Sequence, residues 1–119
     1  MKTLIASIAL FAILIIIIIG NVLYVNHVTE TIRHYTEQAY VGGSSEPVEK
    51  LTRFWQVNKK YIALSVSHEH LDSLSELIIK LEGAYKAGNT AILETTKQLI
   101  FDDLAGITRF EKISIENIL

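Results

Sequence analysis

The chain has no cysteine and only one proline, and no charged residue occurs between Thr3 and Asn26. The absence of cysteine excludes disulfides and cysteine-based metal sites, but it does not identify a compartment, since exported domains and cytosolic proteins can share it. The chain also lacks an excess of basic residues. Once Lys2 is set aside, 10 of the 11 basic side chains remain against 13 acidic ones, a net charge of −3. This balance disfavours nucleic acid or anionic lipid as the main ligand, and we expect no nucleic-acid partner.

The uncharged stretch is long and apolar. From Leu4 to Ile19 it is broken only by alanines and one serine; a glycine and an asparagine follow, and four apolar residues then extend it to Val25. As a helix, Leu4 to Val25 would be about 33 Å long at ~1.5 Å per residue, enough to cross a hydrocarbon core of about 30 Å. The sequence therefore predicts one transmembrane helix, with residues 1–27 as the anchor.

A cleaved signal peptide is the alternative interpretation, because Lys2 gives a short basic region ahead of the apolar stretch. The stretch exceeds the ~7 to 15 residues of a signal-peptide core, and the best cut, after Gly20, leaves the bulky Ile18 where a small residue is expected. We therefore predict an uncleaved anchor. Glu30 and Arg33 balance each other beyond the span, so the positive-inside rule puts the N-terminus in the cytoplasm and the domain from residue 28 outside the cell membrane.

The remaining chain has helical spacing, and no proline interrupts it before Pro47. Spaced apolar residues continue the first helix as a stalk to about Tyr40. A loop at 41–46 contains two glycines and two serines, and Ser45 is the expected N-cap of a second helix. The apolar stalk positions are Val28, Ile32, Tyr35 and Ala39.

The second helix has an apolar arc of about 200° at ~100° per residue, which is wide enough to contact two neighbours. Trp55 and Tyr61 lie on this arc, so we expect each to be a core residue or an anchor for a partner. A third helix follows from Ser67 to a stop at Gly88, and a fourth begins directly after it. Short connections favour antiparallel neighbours. The predicted fold is all-α: a transmembrane helix continuing into a stalk, then a small antiparallel helical bundle within 28–119.

The run SVSHEHLDSL at residues 65–74 concentrates side chains that can bind metal. On a helix capped by Ser67, His68 and Asp72 lie about 40° apart with Glu69 nearby, whereas His70 lies about 200° from His68, so the two histidines cannot share one local site. The helix dipole favours acidic side chains in a first turn, which explains Glu69 and Asp72 without a ligand. We predict no metal and no cofactor, and keep His68, Glu69 and Asp72 as the ligands of an alternative.

His70 and Asp103 fall at the edges of the apolar faces of the third and fourth helices. A carboxylate is costly to bury unless it is paired. Antiparallel pairing of these helices puts Asp103 about one turn from His70, so a hydrogen bond between them is sterically feasible, with Tyr61 and Trp55 as other donors. Alternatively, Asp103 reaches water at the rim of the bundle. No nucleophile is identifiable beside the pair, so we predict neither a catalytic dyad nor an enzyme.

Three short motifs allow a comparison with known families: WQVNKKY at 55–61, SHEHLD at 67–72 and IENIL at 115–119. Through them the chain resembles the domain-of-unknown-function family 4363 over nearly its whole length. Members of this bacterial family, mostly Gram-positive, similarly have one N-terminal hydrophobic helix and a short helical domain with an asparagine-isoleucine-leucine-like tail. The resemblance implies a membrane-anchored bacterial protein acting beside a multi-pass membrane partner, and it implies no activity and no catalytic residue.

Two classes of function follow. The first is a non-enzymatic protein-protein interaction or accessory subunit at the cell membrane, whose partner is a multi-pass membrane protein or a second copy of the chain. The second is a metal-dependent binding or hydrolytic domain at the cell surface that uses His68, Glu69 and Asp72. The missing catalytic constellation and the acidic balance of the exported part favour the first class.

Overall fold

The computed structural model describes residues 1–118, except for the side chains of residues 111, 114, 115 and 118. The final residue of the IENIL motif, Leu119, lies outside the described residues. Over the described range the chain forms helices joined by short loops, and no strand occurs there. The helices are α1 (Lys2–Gln38), α2 (Glu46–Ile62), α3 (His68–Ala87) and α4 (Thr90–Ile118).

Helix α1 runs without a break through the glycine and asparagine that interrupt its apolar stretch. It has 37 residues and no proline, and a single glycine in a helix costs only about 1 kcal/mol relative to alanine. Its hydroxyl side chains bond back to the helix, as when Thr36 Oγ1 donates to the Ile32 carbonyl at 2.7 Å. The helix ends at Gln38, close to the predicted Tyr40, because Ala39 adopts an extended conformation.

The second half of α1, which was predicted as a stalk, packs as one helix of the bundle. Val25, Val28 and Ile32 have no exposed surface and belong to the hydrophobic core. The predicted boundary between anchor and domain, at residues 27 and 28, therefore falls inside the packed part of α1. The difference arises because charge marks where a helix leaves lipid, whereas the neighbouring helices determine where its packing begins.

The four helices surround one core. Helix α1 packs against α2 and α4, and α3 packs against the same two helices, so each helix has two neighbours as the wide arc of α2 predicts. The short loops make successive helices antiparallel. The core side chains are Val25, Val28, Ile32, Ala39, Val48, Leu51, Trp55, Ile62, Leu71, Leu74, Ile78, Leu81, Ala84, Leu93, Ile100, Leu104 and Ile107.

The predicted helix ends are mostly confirmed. Ser45 and Ser67 occupy the N-cap positions of α2 and α3, but neither side chain accepts a capping hydrogen bond. Gly88 ends α3 with φ of 67°, a left-handed conformation that glycine adopts without a Cβ clash. The next residue, Asn89, caps α4, since its Oδ1 accepts the Ile92 N–H at 3.1 Å.

The two ends of the bundle are fixed by hydrogen bonds between distant residues. At the end nearer the apolar half of α1, the Ser65 hydroxyl donates to Asn21 Oδ1 and the Tyr24 hydroxyl donates to Asn58 Oδ1 at 3.0 Å. We call this end, formed by residues 58–68 against residues 21–24, the bundle base. At the opposite end, the Tyr85 hydroxyl donates to the Gly43 carbonyl at 2.6 Å.

Removal of residues 21–27 tests whether they belong to the bundle. A fragment of residues 28–119 lacks Val25 and the two hydrogen bonds of the base that a fragment of residues 21–119 keeps. Burying a valine contributes about 1.5–3 kcal/mol and each hydrogen bond about 0.5–1.5 kcal/mol. We expect the shorter fragment to have a free energy of unfolding lower by about 3 kcal/mol, measured by urea denaturation followed by circular dichroism.

The matched control is Leu23→Ala in the longer fragment. Leu23 lies in the same segment but is exposed, so its truncation should change stability by less than about 0.5 kcal/mol. Equal stability of the two fragments would contradict the assignment of residues 21–27 to the bundle.

Candidate functional site

The first half of α1 is an uncovered apolar surface. An 18-residue window within α1 has a mean hydropathy of 3.0, and none of that window is buried against the protein. Among the described residues, one helix, α1, is long and apolar enough to cross a membrane. Contiguous exposed apolar surface of this size marks a binding face, for lipid or for protein.

The hydroxyl group of the serine within this half of α1 is satisfied internally. The Ser7 hydroxyl donates to the Thr3 carbonyl at 2.9 Å, so it needs no water. In hydrocarbon every polar group has to find such a partner, since no solvent is available to it. The serine that interrupts the apolar stretch is therefore compatible with lipid.

Asn21 joins this apolar half to the bundle. Its side-chain oxygen accepts the Ser65 hydroxyl, and three residues later Tyr24 bonds to Asn58. One contact is to the loop after α2 and the other to the last turns of α2, so together they fix the direction in which α1 leaves the bundle. Sequence reasoning treated Asn21 as an interruption, because its partner lies 44 residues away in the chain.

The bundle base carries exposed apolar side chains. Leu64, in the loop between α2 and α3, is 88% exposed, and Tyr61, in the last turn of α2, is 53% exposed. The ammonium group of Lys60 lies 5.2 Å from the centre of the Tyr61 ring, within the range of a cation–π interaction. Tyr61 is therefore a surface residue, because the apolar arc of α2 extends further than α1 and α3 cover.

Trp55 lies in the core on the other side of the same arc. It is 4% exposed and packs in the cluster that contains Leu74 and Leu81. Its indole Nε1 donates to Ser75 Oγ at 3.0 Å, which satisfies the buried donor. Trp55 is thus unavailable as an anchor for a partner, and Tyr61 is the available member of the two.

The candidate metal ligands are solvent-exposed. His68, Glu69 and Asp72 all lie on the surface at the start of α3, while His70 is half-buried against α4. The two histidines point to different surroundings, as the helical geometry predicts. Within the described part of the chain, no group of three or more histidine, cysteine, aspartate or glutamate side chains is placed to hold a metal ion.

His70 and Asp103 are brought together across α3 and α4. His70 Nδ1 lies 3.8 Å from Asp103 Oδ1, which is too long for a hydrogen bond. The other oxygen, Asp103 Oδ2, is buried without a partner among the described residues. The alternative donors do not reach it, because Trp55 bonds to Ser75 and Tyr61 faces solvent.

Gly106 contributes to this contact between α3 and α4. A Cβ added at Gly106 would lie 3.4 Å from His70 Cε1, so the glycine leaves room for the imidazole ring. No described hydroxyl group hydrogen-bonds to His70 or Asp103. The arrangement is a partly buried polar contact between two helices, and nothing in it resembles an activated nucleophile.

A groove of about 340 Å³ lies between α2 and α3, and sequence reasoning did not find it. Glu82 faces it and accepts two bonds, from Thr52 Oγ1 at 2.9 Å and from Lys86 Nζ at 2.9 Å. The bonds from Lys86 and Thr52 hold the pKa of the Glu82 carboxyl below its ordinary value. The carboxylate is thus occupied by neighbours of its own chain. The lining residues are Ser45, Val48, Glu49, Thr52, Arg53, Gln56, Glu82, Tyr85 and Lys86.

These features define an all-helical protein in which one helix belongs half to a four-helix bundle and half to an apolar segment long enough to cross a membrane. The chain belongs to the family described as Domain of unknown function (DUF4363), whose model matches residues 21–118. The match begins at Asn21, the residue at which α1 first bonds to the bundle. No curated protein and no solved structure matches the chain.

Substitutions at the start of α3 test the metal alternative. Ser67 accepts no capping bond, so Ser67→Ala should cost less than the ~1 kcal/mol of a typical N-cap, and His68→Ala at an exposed position should cost less than about 0.5 kcal/mol. The matched control is His34→Ala, which changes an exposed histidine of α1.

We expect the melting temperature of the protein and of all three variants to be unaffected by a chelator, since the core of the described bundle consists of apolar side chains. The outcome that would assign His68, Glu69 and Asp72 to a metal site is a melting temperature that the chelator lowers in every protein except His68→Ala. Such a site would take its remaining ligand from another helix or another chain.

Proposed function

We propose that this protein is a single-pass membrane protein whose bundle lies outside the cytoplasm and acts as a non-enzymatic interaction module or accessory subunit. One observation carries the proposal: α1 continues as a single helix from an uncovered apolar half into the bundle core. The described residues leave the apolar half uncovered, so a membrane is the surrounding that removes it from water. The family resemblance favours a bacterial membrane as the location.

The alternative is that residues 1–20 are a cleaved signal sequence. The bundle would survive such a cut, because its packing and the family match both begin at residue 21. The apolar length and the bulky Ile18 ahead of the cut favour retention of the helix. Lys2, ahead of the span, favours a cytoplasmic N-terminus.

The interaction role is supported by apolar side chains left on the sides of the bundle. Ile79 on α3 is 72% exposed, and Ile92 and Leu99 on α4 are also exposed. These residues do not form the core and are free to contact a second surface. The partner we propose is a multi-pass membrane protein or a second copy of the chain.

The topology is tested with reporter fusions to the full chain. A reporter fused after Leu119 should be active outside the membrane and inactive in the cytoplasm, and the mature protein should keep its first residue in N-terminal sequencing. Cytoplasmic activity of the reporter would contradict the orientation. A mature N-terminus at Asn21 would show that the apolar half of α1 is a signal sequence.

The interaction role is tested by crosslinking and affinity capture of the tagged full chain from its own membranes. The control is the fragment of residues 21–119, exported by a cleavable signal sequence. We expect the full chain to capture a partner or a second copy in stoichiometric amount. Capture by the fragment as well would assign the contact to the bundle, and a monomer without partner would contradict the role.

A further inference from the structure

We propose that the bundle base is a lipid-docking surface, which rests on the headgroup region of the bilayer that α1 crosses. The inference depends on the proposed function, since it needs α1 to span the membrane. It adds that the bundle is seated on the lipid and does not stand away from it. The occupant of this surface is a phospholipid bilayer.

The position of Asn21 sets the distance between the base and the lipid. The apolar run from Leu4 to Ile19 is about 24 Å long, and its extension to Leu23 makes it about 30 Å, at ~1.5 Å per residue. A hydrocarbon core of about 30 Å therefore ends within a few Å of Asn21. Asn21 already contacts the loop that carries Leu64, so the base begins where the hydrocarbon ends.

The side chains of the base suit this boundary. Leu64 and Tyr61 are the exposed apolar residues of the last turn of α2 and the loop after it, and Lys60 lies over the Tyr61 ring. Tyrosine rings concentrate at membrane–water interfaces, and lysine extends its ammonium group from an apolar stem toward the phosphates. Removal of a leucine side chain from water is favourable, and the side chain of Leu64 at the base is almost fully exposed.

Helix α4 carries similar residues to the same level on the other side of α1. Lys97 Nζ donates to the Ala39 carbonyl at 2.8 Å, which fixes the register of α4 against the end of α1. Because the two helices are antiparallel, Phe110 and Ile113 fall within about one or two turns of the level of Asn21 at 1.5 Å per residue. Both of these side chains are exposed.

Polar residues limit how deeply the base can enter the membrane. Glu116 and Asn117, near the end of α4, are exposed, and a carboxylate in hydrocarbon is expensive. They hold the end of α4 at the headgroup level. The net negative charge of the chain after Lys2 also disfavours dependence on anionic lipid. Lys60 instead contacts the phosphate group that every phospholipid carries. A zwitterionic bilayer should suffice for docking.

A lipid surface fits better than a protein partner at this end. Helix α1 leaves the bundle beside the base, so any membrane that holds the apolar half of α1 lies directly against Leu64. A protein partner would have to enter between the bundle and the bilayer. A second copy could cover the base only by displacing the bundle from the lipid.

The absence of cysteine allows a direct test in the full chain. Leu64→Cys and the matched control Ile79→Cys each replace one exposed apolar residue, the first at the base and the second midway along α3. Each variant is labelled with a nitroxide and reconstituted in phosphatidylcholine vesicles. The collision rates of the label with oxygen, which concentrates in lipid, and with a water-soluble nickel chelate are compared by electron paramagnetic resonance.

We expect the ratio of oxygen to nickel collisions to be several-fold higher at Leu64 than at Ile79. Equal ratios in a chain that resists carbonate extraction would overturn docking and leave the membrane anchor intact. Spin–spin broadening at Leu64 would overturn docking in favour of a second copy of the chain. Extraction of the chain by carbonate would overturn both the anchor and the docking surface.

Discussion

The burial of one face of α1 against α2 and α4 is the interaction on which the rest of the structure depends. Val25, Val28 and Ile32 have no exposed surface, so α1 completes a core that the other three helices would leave open to water. The same contact gives the apolar half of α1 a rigid connection to the bundle. The stability of the domain and the course of the apolar segment therefore both depend on one helix.

Periodicity and composition predicted the helices well, because those signals are local. The apolar stretch, the stop at Gly88 and the wide arc of α2 each followed from neighbouring residues, and the structure confirms them. The role of the predicted stalk could not be predicted in the same way. Val28 and Ile32 have the spacing of a core stripe, but only the tertiary arrangement shows that two helices lie against that stripe.

The candidate site shows the same limit at the level of single side chains. Antiparallel pairing predicted that His70 and Asp103 would be neighbours, and they are, but the separation of 3.8 Å depends on side-chain conformation that spacing cannot supply. Trp55 is buried and Tyr61 is exposed, although both lie on one apolar arc, because α1 and α3 cover only part of that arc. The bond of Ser65 to Asn21 joins residues 44 positions apart, so no local pattern could indicate it.

The unbroken course of α1 has a mechanical consequence. Helix α1 has 37 residues and no proline, and it continues without interruption through Gly20, so its apolar half and its packed half form one helix. The tilt and the azimuth of the apolar half are therefore transmitted to the bundle. In the proposed membrane topology, a neighbouring helix that packs on one side of α1 within the bilayer would always meet the same side of the bundle outside it. A change in bilayer thickness would tilt the whole domain.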